Sequence, residues 1–271
     1  MANSEKPRWQ ESIAKFIDEY QVAPLTQKAY RQTLELFSRF VNGSQPSEEK
    51  VKEFINQLEK DGLSTASVNR HLSAIRAYFL WMKKKSPKEK RADFDLIVRG
   101  PKVQRKLPQL LSAEEVKSIV EIAETPFERA LIMTIYEGAL RIAELMNLKV
   151  EDIDFDGGFL KVTRKGGEET RIPVSDKTLT ALRKHIGRRH GQVFTQPYWR
   201  LHYEIGRLGN KAGIRKLTPH QLRHARASDL SRQGVALEDI KDFLGHAQYQ
   251  TTLIYARLMP AELKRRLPTA F

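Results

Sequence analysis

Residues 217–230, LTPHQLRHARASDL, put His220, Arg223 and His224 at i, i+3 and i+4, on one face of a short helix. Thr218 is placed to cap that helix and Pro219 to occupy its first position, where a missing N–H costs nothing. Backbone N–H groups and the helix dipole favour an anion there, and a guanidinium can fork two phosphate oxygens while an imidazole donates a third bond. The next polar stretch, DFLGHAQYQTTLIYARL (242–258), adds His246 and Tyr255. The set fits phosphate chemistry. It also fits a zinc site, because His220 and His224 have ligand spacing and His246 supplies a third donor. Against zinc hydrolysis, Gln221 stands where an H-E-x-x-H helix carries its glutamate base. The plainest alternative is one packed histidine beside a surface arginine.

Two earlier residues sharpen the choice. Arg141, in GALRIAEL, follows a glycine-bearing turn beside apolar Ile142 and Leu145, so it needs a partner or a ligand; Glu144 is three residues on and suited to orient it. Lys165 sits at a hairpin tip, TRKGGEE, where two glycines let the chain bend close to a ligand. Taken singly, the lysine reads as solvated and Tyr255 as core.

Elements to position these groups are legible. Up to residue 97 the chain reads as four helices: Gln10–Tyr20, Thr26–Phe40 with Tyr30, Leu34 and Phe37 on one stripe, a Ser47-capped helix carrying Val51, Phe54, Ile55 and Leu58 and stopped by Gly62, and a long helix from Thr65 carrying Val68, Leu72, Ile75, Phe79 and Met82. Residues 98–110 read as a basic linker, with proline, glycine and dense Lys and Arg, suited to lie along a nucleic-acid backbone. The second domain, 111–271, opens with a Ser112 capping box and a helix from Thr125-Pro126. DIDFDGGFLKVTRKGGEETRIPVS then switches to period two, predicting a three-stranded antiparallel meander, and the rest is helical. The fold class is therefore mainly α: a four-helix bundle followed by a mixed α/β domain with one small sheet.

Composition narrows the partners. Lys and Arg number 47 against 33 acidic residues, for a net charge of +14. Residues 161–232 hold 17 basic and 5 acidic residues, a local +12 that points to a polyanion. With no cysteine, disulfides and thiolate metal sites are excluded. No apolar run approaches the ~18–20 residues that span a bilayer, and MANSEKPRWQESIAKF lacks a signal-like apolar region, so a cytoplasmic, nucleoid-associated protein is expected.

Taken together, Arg141, hairpin Lys165, H-x-L-R-H, L-G-H and Tyr255 resemble the catalytic signature of the tyrosine recombinase (integrase) family, and the domain plan matches over nearly the whole chain. The size is most like Xer-type site-specific recombinases, which resolve chromosome or plasmid dimers. The resemblance implies that Tyr255 attacks a DNA phosphate to give a 3′-phosphotyrosyl link and a free 5′-hydroxyl, without metal, ATP or other cofactor. By the same resemblance Arg141 and Arg223 hold non-bridging oxygens, His220 assists proton transfer from Tyr255, Lys165 protonates the leaving oxygen, and His246 donates to the phosphate. Glu144 and His224 would support. Lys83, Lys84, Lys85, Arg99, Lys102, Arg105, Lys106 and Arg164 are expected to contact DNA. The partners implied are a double-stranded recombination site and, through the C-terminal helix after Pro260, a homo-tetramer on two sites, with monomer or dimer in the absence of DNA.

The sequence departs from the common pattern at Gly138-Ala139-Leu140, where many members have Thr-Gly-Leu, at Glu168-Glu169 after the hairpin glycines, and at Ala225-Arg226. Three other readings stay open on sequence grounds: a mobile-element integrase, a type IB topoisomerase-like enzyme, and a non-catalytic helix–turn–helix regulator built on VALEDIKDFLGHAQYQTTLIYARL.

Overall fold

The computed structural model describes residues 8–42, 46–88, 90–91, 95–102, 110–164 and 167–245. The chain divides into two compact units, residues 1–106 and 107–271.

The first unit holds four helices among its described residues: α1 (Arg8–Glu19), α2 (Pro24–Val41), α3 (Glu48–Lys60) and α4 (Thr65–Lys85). Ser47 and Ser64 cap α3 and α4 by accepting from the N–H three residues on. Gly62, with φ 79, takes the left-handed turn that ends α3. Phe16, Leu34, Phe37, Val51, Phe54, Leu72, Ile75, Tyr78 and Phe79 lie in its buried core; of the apolar residues read at helical spacing, Tyr30 and Met82 are only partly buried against it, and Ile13, Ile17 and Val41 join the core beyond that reading.

One boundary differs from the expected linker start at 98. Val98 is buried in this core, the Arg76 guanidinium donates to its carbonyl, and Asn69 Nδ2 donates to the Pro101 carbonyl at 2.9 Å. A single valine in a charged, proline-bearing stretch makes no periodic signal, yet with these two hydrogen bonds it fastens the segment onto α4.

The second unit runs α5 (Ala113–Glu121), α6 (Pro126–Glu137), α7 (Ile142–Asn147), β1 (Ile153–Asp154), β2 (Phe159–Thr163), β3 (Glu169–Pro173), α8 (Asp176–Ile186), α9 (Tyr198–Lys211), α10 (Pro219–Arg232) and α11 (Leu237–Leu244). The strands form an antiparallel meander in the order β1-β2-β3, with Leu160 opposite Ile153 on one side and Ile172 on the other. These three residues are buried on the face that meets the helical core. Capping boxes start α5 (Ser112/Glu115), α6 (Thr125/Glu128) and α10 (Thr218/Gln221). Helix α6 is central, packing on α5, α8 and α10. Helix α10 has no single apolar stripe: it buries Leu222, Ala225 and Ala227 together with Arg223, Ser228 and Asp229. That is the signature of an interior helix: Arg223 and Asp229 are bonded inside the fold, while Ser228 Oγ is buried without a hydrogen-bond partner among the described residues.

Candidate active site

The turn between α6 and α7 is where the site begins. Ala139 takes the left-handed conformation, φ 44, which costs an L residue roughly 1 kcal/mol. Its methyl is buried and packs with Ala227, Ile240 and Leu244. The turn aims the Ala139 carbonyl at the Arg223 guanidinium, which also donates to the Leu244 carbonyl. Arg223 is only 2% exposed, so the first turn of α10 carries a fully desolvated cation.

Arg141 follows as the N-cap residue of α7. Its N–H and its Nη1 both donate to Glu144, at 2.8 and 2.6 Å, and its Nη2 donates to the Gly245 carbonyl at 2.9 Å. Glu144 is itself buried and serves three cations: Arg141, Arg164 at 2.8 Å, and Arg223 at 3.7 Å. Three guanidiniums against one carboxylate leave two positive charges in excess. Carbonyls of residues 139, 243, 244 and 245 supply the remaining hydrogen bonds, but carbonyl dipoles do not cancel a formal charge. The arrangement therefore carries a net positive charge and is suited to receive an anion.

The receptor is open. A pocket of about 230 Å³ is lined by Arg141, Thr218, His220 and Arg223, with Tyr198 and His202 of α9 completing its wall. His220 keeps an exposed edge here, and its ring meets the His224 ring at 4.1 Å and 76°. Burial first, then the charges of Arg223 and Arg141, hold the His220 imidazole below its usual value. Burial, then His220 and Arg223, depress His224 to about 4. Both shifts favour the neutral imidazole over the cation.

The sequence-derived set is brought together as far as the described residues reach: Arg141, Glu144, His220, Arg223 and His224 converge. Lys165, His246 and Tyr255 lie outside the described residues, as do Arg105 and Lys106, the C-terminal exchange helix and the second helix of the regulator reading. Among the described residues no three His, Cys, Asp or Glu side chains gather to hold a metal ion.

Arg164 corrects an expectation. Expected to contact DNA, it is 5% exposed and points inward, donating to Glu144 at 2.8 Å and to the Phe243 carbonyl at 2.6 Å. Its charge is consumed by a buried carboxylate and is not presented to a backbone. Of the other expected contacts, Lys84, Arg99 and Lys102 are exposed, while Lys83 pairs with Asp95 and Lys85 with Glu19. Tyr198 and His202 went unremarked in the sequence; the signal was a Tyr–His pair at i, i+4 on α9, indistinguishable there from ordinary packing.

Comparison with known proteins agrees with this geometry. Residues 109–262 match the phage integrase family model, and residues 13–86 match the phage integrase N-terminal SAM-like domain. The chain belongs to the phage integrase family and is a site-specific tyrosine recombinase. It is 32% identical over 263 residues to tyrosine recombinase XerA of Pyrococcus furiosus, covering 89% of this chain and 88% of the relative. It is also 32% identical over 235 residues to XerD of Oceanobacillus iheyensis, covering 78% and 77%. In fold it is similar to the crystal structure of XerH site-specific recombinase bound to palindromic difH substrate, with a TM-score of 0.74 at 22% identity over 89% of this chain and 78% of that one. The recombinase is mainly helical, with one small antiparallel sheet, and no described helix is long and apolar enough to cross a membrane.

Proposed function

We propose that this recombinase cleaves and rejoins strands of double-stranded DNA through attack by the Tyr255 hydroxyl on a scissile phosphate. The convergence of Arg141, His220 and Arg223 on one open, doubly cationic pocket carries this reading. As the Tyr255 oxygen bonds phosphorus, charge builds on the non-bridging oxygens, and two guanidiniums already held by carbonyls and Glu144 meet it without reorganising. Neutral His220 takes the phenolic proton. The P–O5′ bond then breaks, and Lys165 gives the departing oxygen a proton; His246 adds a hydrogen bond to the phosphate. The ester energy is kept in the 3′-phosphotyrosyl link, so the 5′-hydroxyl of another strand can reverse the step with neither ATP nor metal. The reading extends to resolving chromosome or plasmid dimers by a homo-tetramer on two sites; the similarity to tyrosine recombinases XerA and XerD supports the recombinase class.

Covalent trapping tests the reading. Wild type and Tyr255→Phe are incubated with fragmented genomic DNA and with nicked duplexes in EDTA, and adducts are resolved on denaturing gels and sequenced. A wild-type adduct at a defined sequence, absent from Tyr255→Phe, is the expected result. Duplex binding with no adduct from wild type would return the chain to a non-catalytic binder.

A further inference from the structure

The end of α6 is fastened more heavily than a helix stop requires. Ala139 closes it in a Schellman turn: the Ala139 N–H donates to the Tyr136 carbonyl and the Leu140 N–H to the Ile135 carbonyl, both at 3.1 Å. Two side chains of the last turn then tie it to neighbouring helices. Glu137 accepts from the N–H and the hydroxyl of Ser175, the cap of α8, both at 2.8 Å. The Tyr136 hydroxyl donates to Asp229 on α10. Asp229 is only 4% exposed and also pairs with Arg232 at 2.7 Å. Burial, then the carboxylate, push the Tyr136 phenol well above its usual value, so the hydroxyl keeps its proton and stays a donor. A buried carboxylate costs desolvation that an apolar pair would avoid. What it adds is direction. Helix α10 is bound to the end of α6 at two levels, Arg223 to the Ala139 carbonyl and Asp229 to Tyr136, about 9 Å apart along its axis.

We infer that Tyr136 and Asp229 are positioning residues for the phosphate pocket: their bond fixes the strained Ala139 turn against α10 and so sets the spacing of the Arg141 and Arg223 guanidiniums. Arg141 leaves that turn two residues after Ala139, as the N-cap of α7, and Arg223 is gripped by the turn's own carbonyl. A turn that slides along α10 therefore moves the backbone of one arginine and the anchor of the other. Neither Tyr136 nor Asp229 lines the pocket, so neither touches the phosphate. The inference rests on the reading of that pocket as the site of the scissile phosphate. Two roles can be told apart. If the pair places the arginines, its loss is felt in proportion to the charge they must hold. If it only stabilises the fold, its loss lowers the amount of folded enzyme and spares the discrimination between a charged and a neutral linkage.

Two duplexes carrying the sequence that wild type traps make the distinction. One has a phosphate at the scissile linkage; the other has a methylphosphonate, in which methyl replaces a charged non-bridging oxygen. The neutral linkage asks less of the guanidiniums as charge builds. Single-turnover cleavage of both is compared for wild type, Tyr136→Phe, Asp229→Asn, Arg223→Lys and Ile119→Val, the last a core truncation in α5 that lowers stability alone. The phosphate-to-methylphosphonate ratio within one variant cancels the amount of folded enzyme. Tyr136→Phe should lower that ratio by about 10- to 100-fold, the scale of a misplaced donor. Arg223→Lys should lower it in the same way, and Ile119→Val should leave it at the wild-type value. Asp229→Asn, whose amide oxygen still accepts from Tyr136, should fall less than Tyr136→Phe. A wild-type ratio in Tyr136→Phe would overturn the inference. Binding of inorganic vanadate, followed by calorimetry on the same proteins, reads the pocket without chemistry: Tyr136→Phe should bind more weakly than wild type, and Ile119→Val equally. If wild type traps and cleaves no DNA yet this order holds, the Tyr255 reading has failed and the positioning stands. Equal vanadate affinity in wild type and Tyr136→Phe would overturn the positioning instead.

Discussion

His224 shows how a site residue can be defined by the charge it does not carry. Its imidazole is held near 4 by burial and by its neighbours His220 and Arg223, against an ordinary value of 6.5. The unfolded chain therefore takes up a proton in acid before the folded one does. Between pH 6.5 and about 4 the unfolded state binds more protons, so stability rises with pH and is lost as pH falls. The contribution of this one ring is up to about 3 kcal/mol at full shift, less to the extent that water reaches it. Wild type should lose thermal stability steeply between pH 7 and 5, and His224→Gln should lose less over the same interval. Parallel melting curves for the two proteins across that range would show that His224 is not held neutral by its site. His71, His185 and His220 are depressed by burial in the same direction, so the variant flattens the profile without abolishing its slope.

At the scale of the elements, the site depends on where α11 ends. Helix α11 stops at Gly245 in the left-handed conformation, φ 59 and ψ 48, and this stop aims the carbonyls of Phe243, Leu244 and Gly245 at Arg164, Arg223 and Arg141 in turn. Gly245→Ala adds a left-handed penalty of ~1 kcal/mol and a methyl against a buried arginine that has little room to retreat. We expect the thermal midpoint to fall by roughly 2–4 °C for a chain of this size. An unchanged midpoint would mean that Arg164 yields freely. The sequence announced part of this design. Ser112-x-x-Glu115 and Thr218-x-x-Gln221 are local signals, and the structure forms both boxes; the period-two stretch with its paired glycines became the meander. The inward turn of Arg164 was not legible, because a residue beside Gly-Gly looks like any hairpin-tip cation until Glu144 and the Phe243 carbonyl are folded against it. The spacing of Arg223 with His220 suggested an anion ligand, but its burial against the Ala139 and Leu244 carbonyls depends on the strained Ala139 turn, which no helix period encodes. The same holds for Tyr136, whose hydroxyl donates to buried Asp229 and whose phenol is pushed well above its usual value by burial and that carboxylate.

For the whole molecule, the formal charge of +14 overstates what a polyanion can meet. Within the basic stretch 161–232, Arg164 is paired with Glu144, Arg207 with Glu128 and Glu204, Arg200 with Glu204 and Arg232 with Asp229, and Arg223 is buried. The cations left for counterion release are those on open surface. In the first unit these include Lys84 on α4 and Arg99 and Lys102 on the irregular segment that Val98 fastens to α4. Each phosphate neutralised by such a residue steepens the fall of log K with log salt by about 0.9. The double variant Arg99→Gln/Lys102→Gln should therefore reduce the slope measured on duplex DNA by up to about 2. The reduction should be equal on the trapped site and on random sequence, because backbone contacts carry no base information. A salt slope that does not move would place both residues off the DNA. A change confined to the trapped site would mean that this segment reads bases.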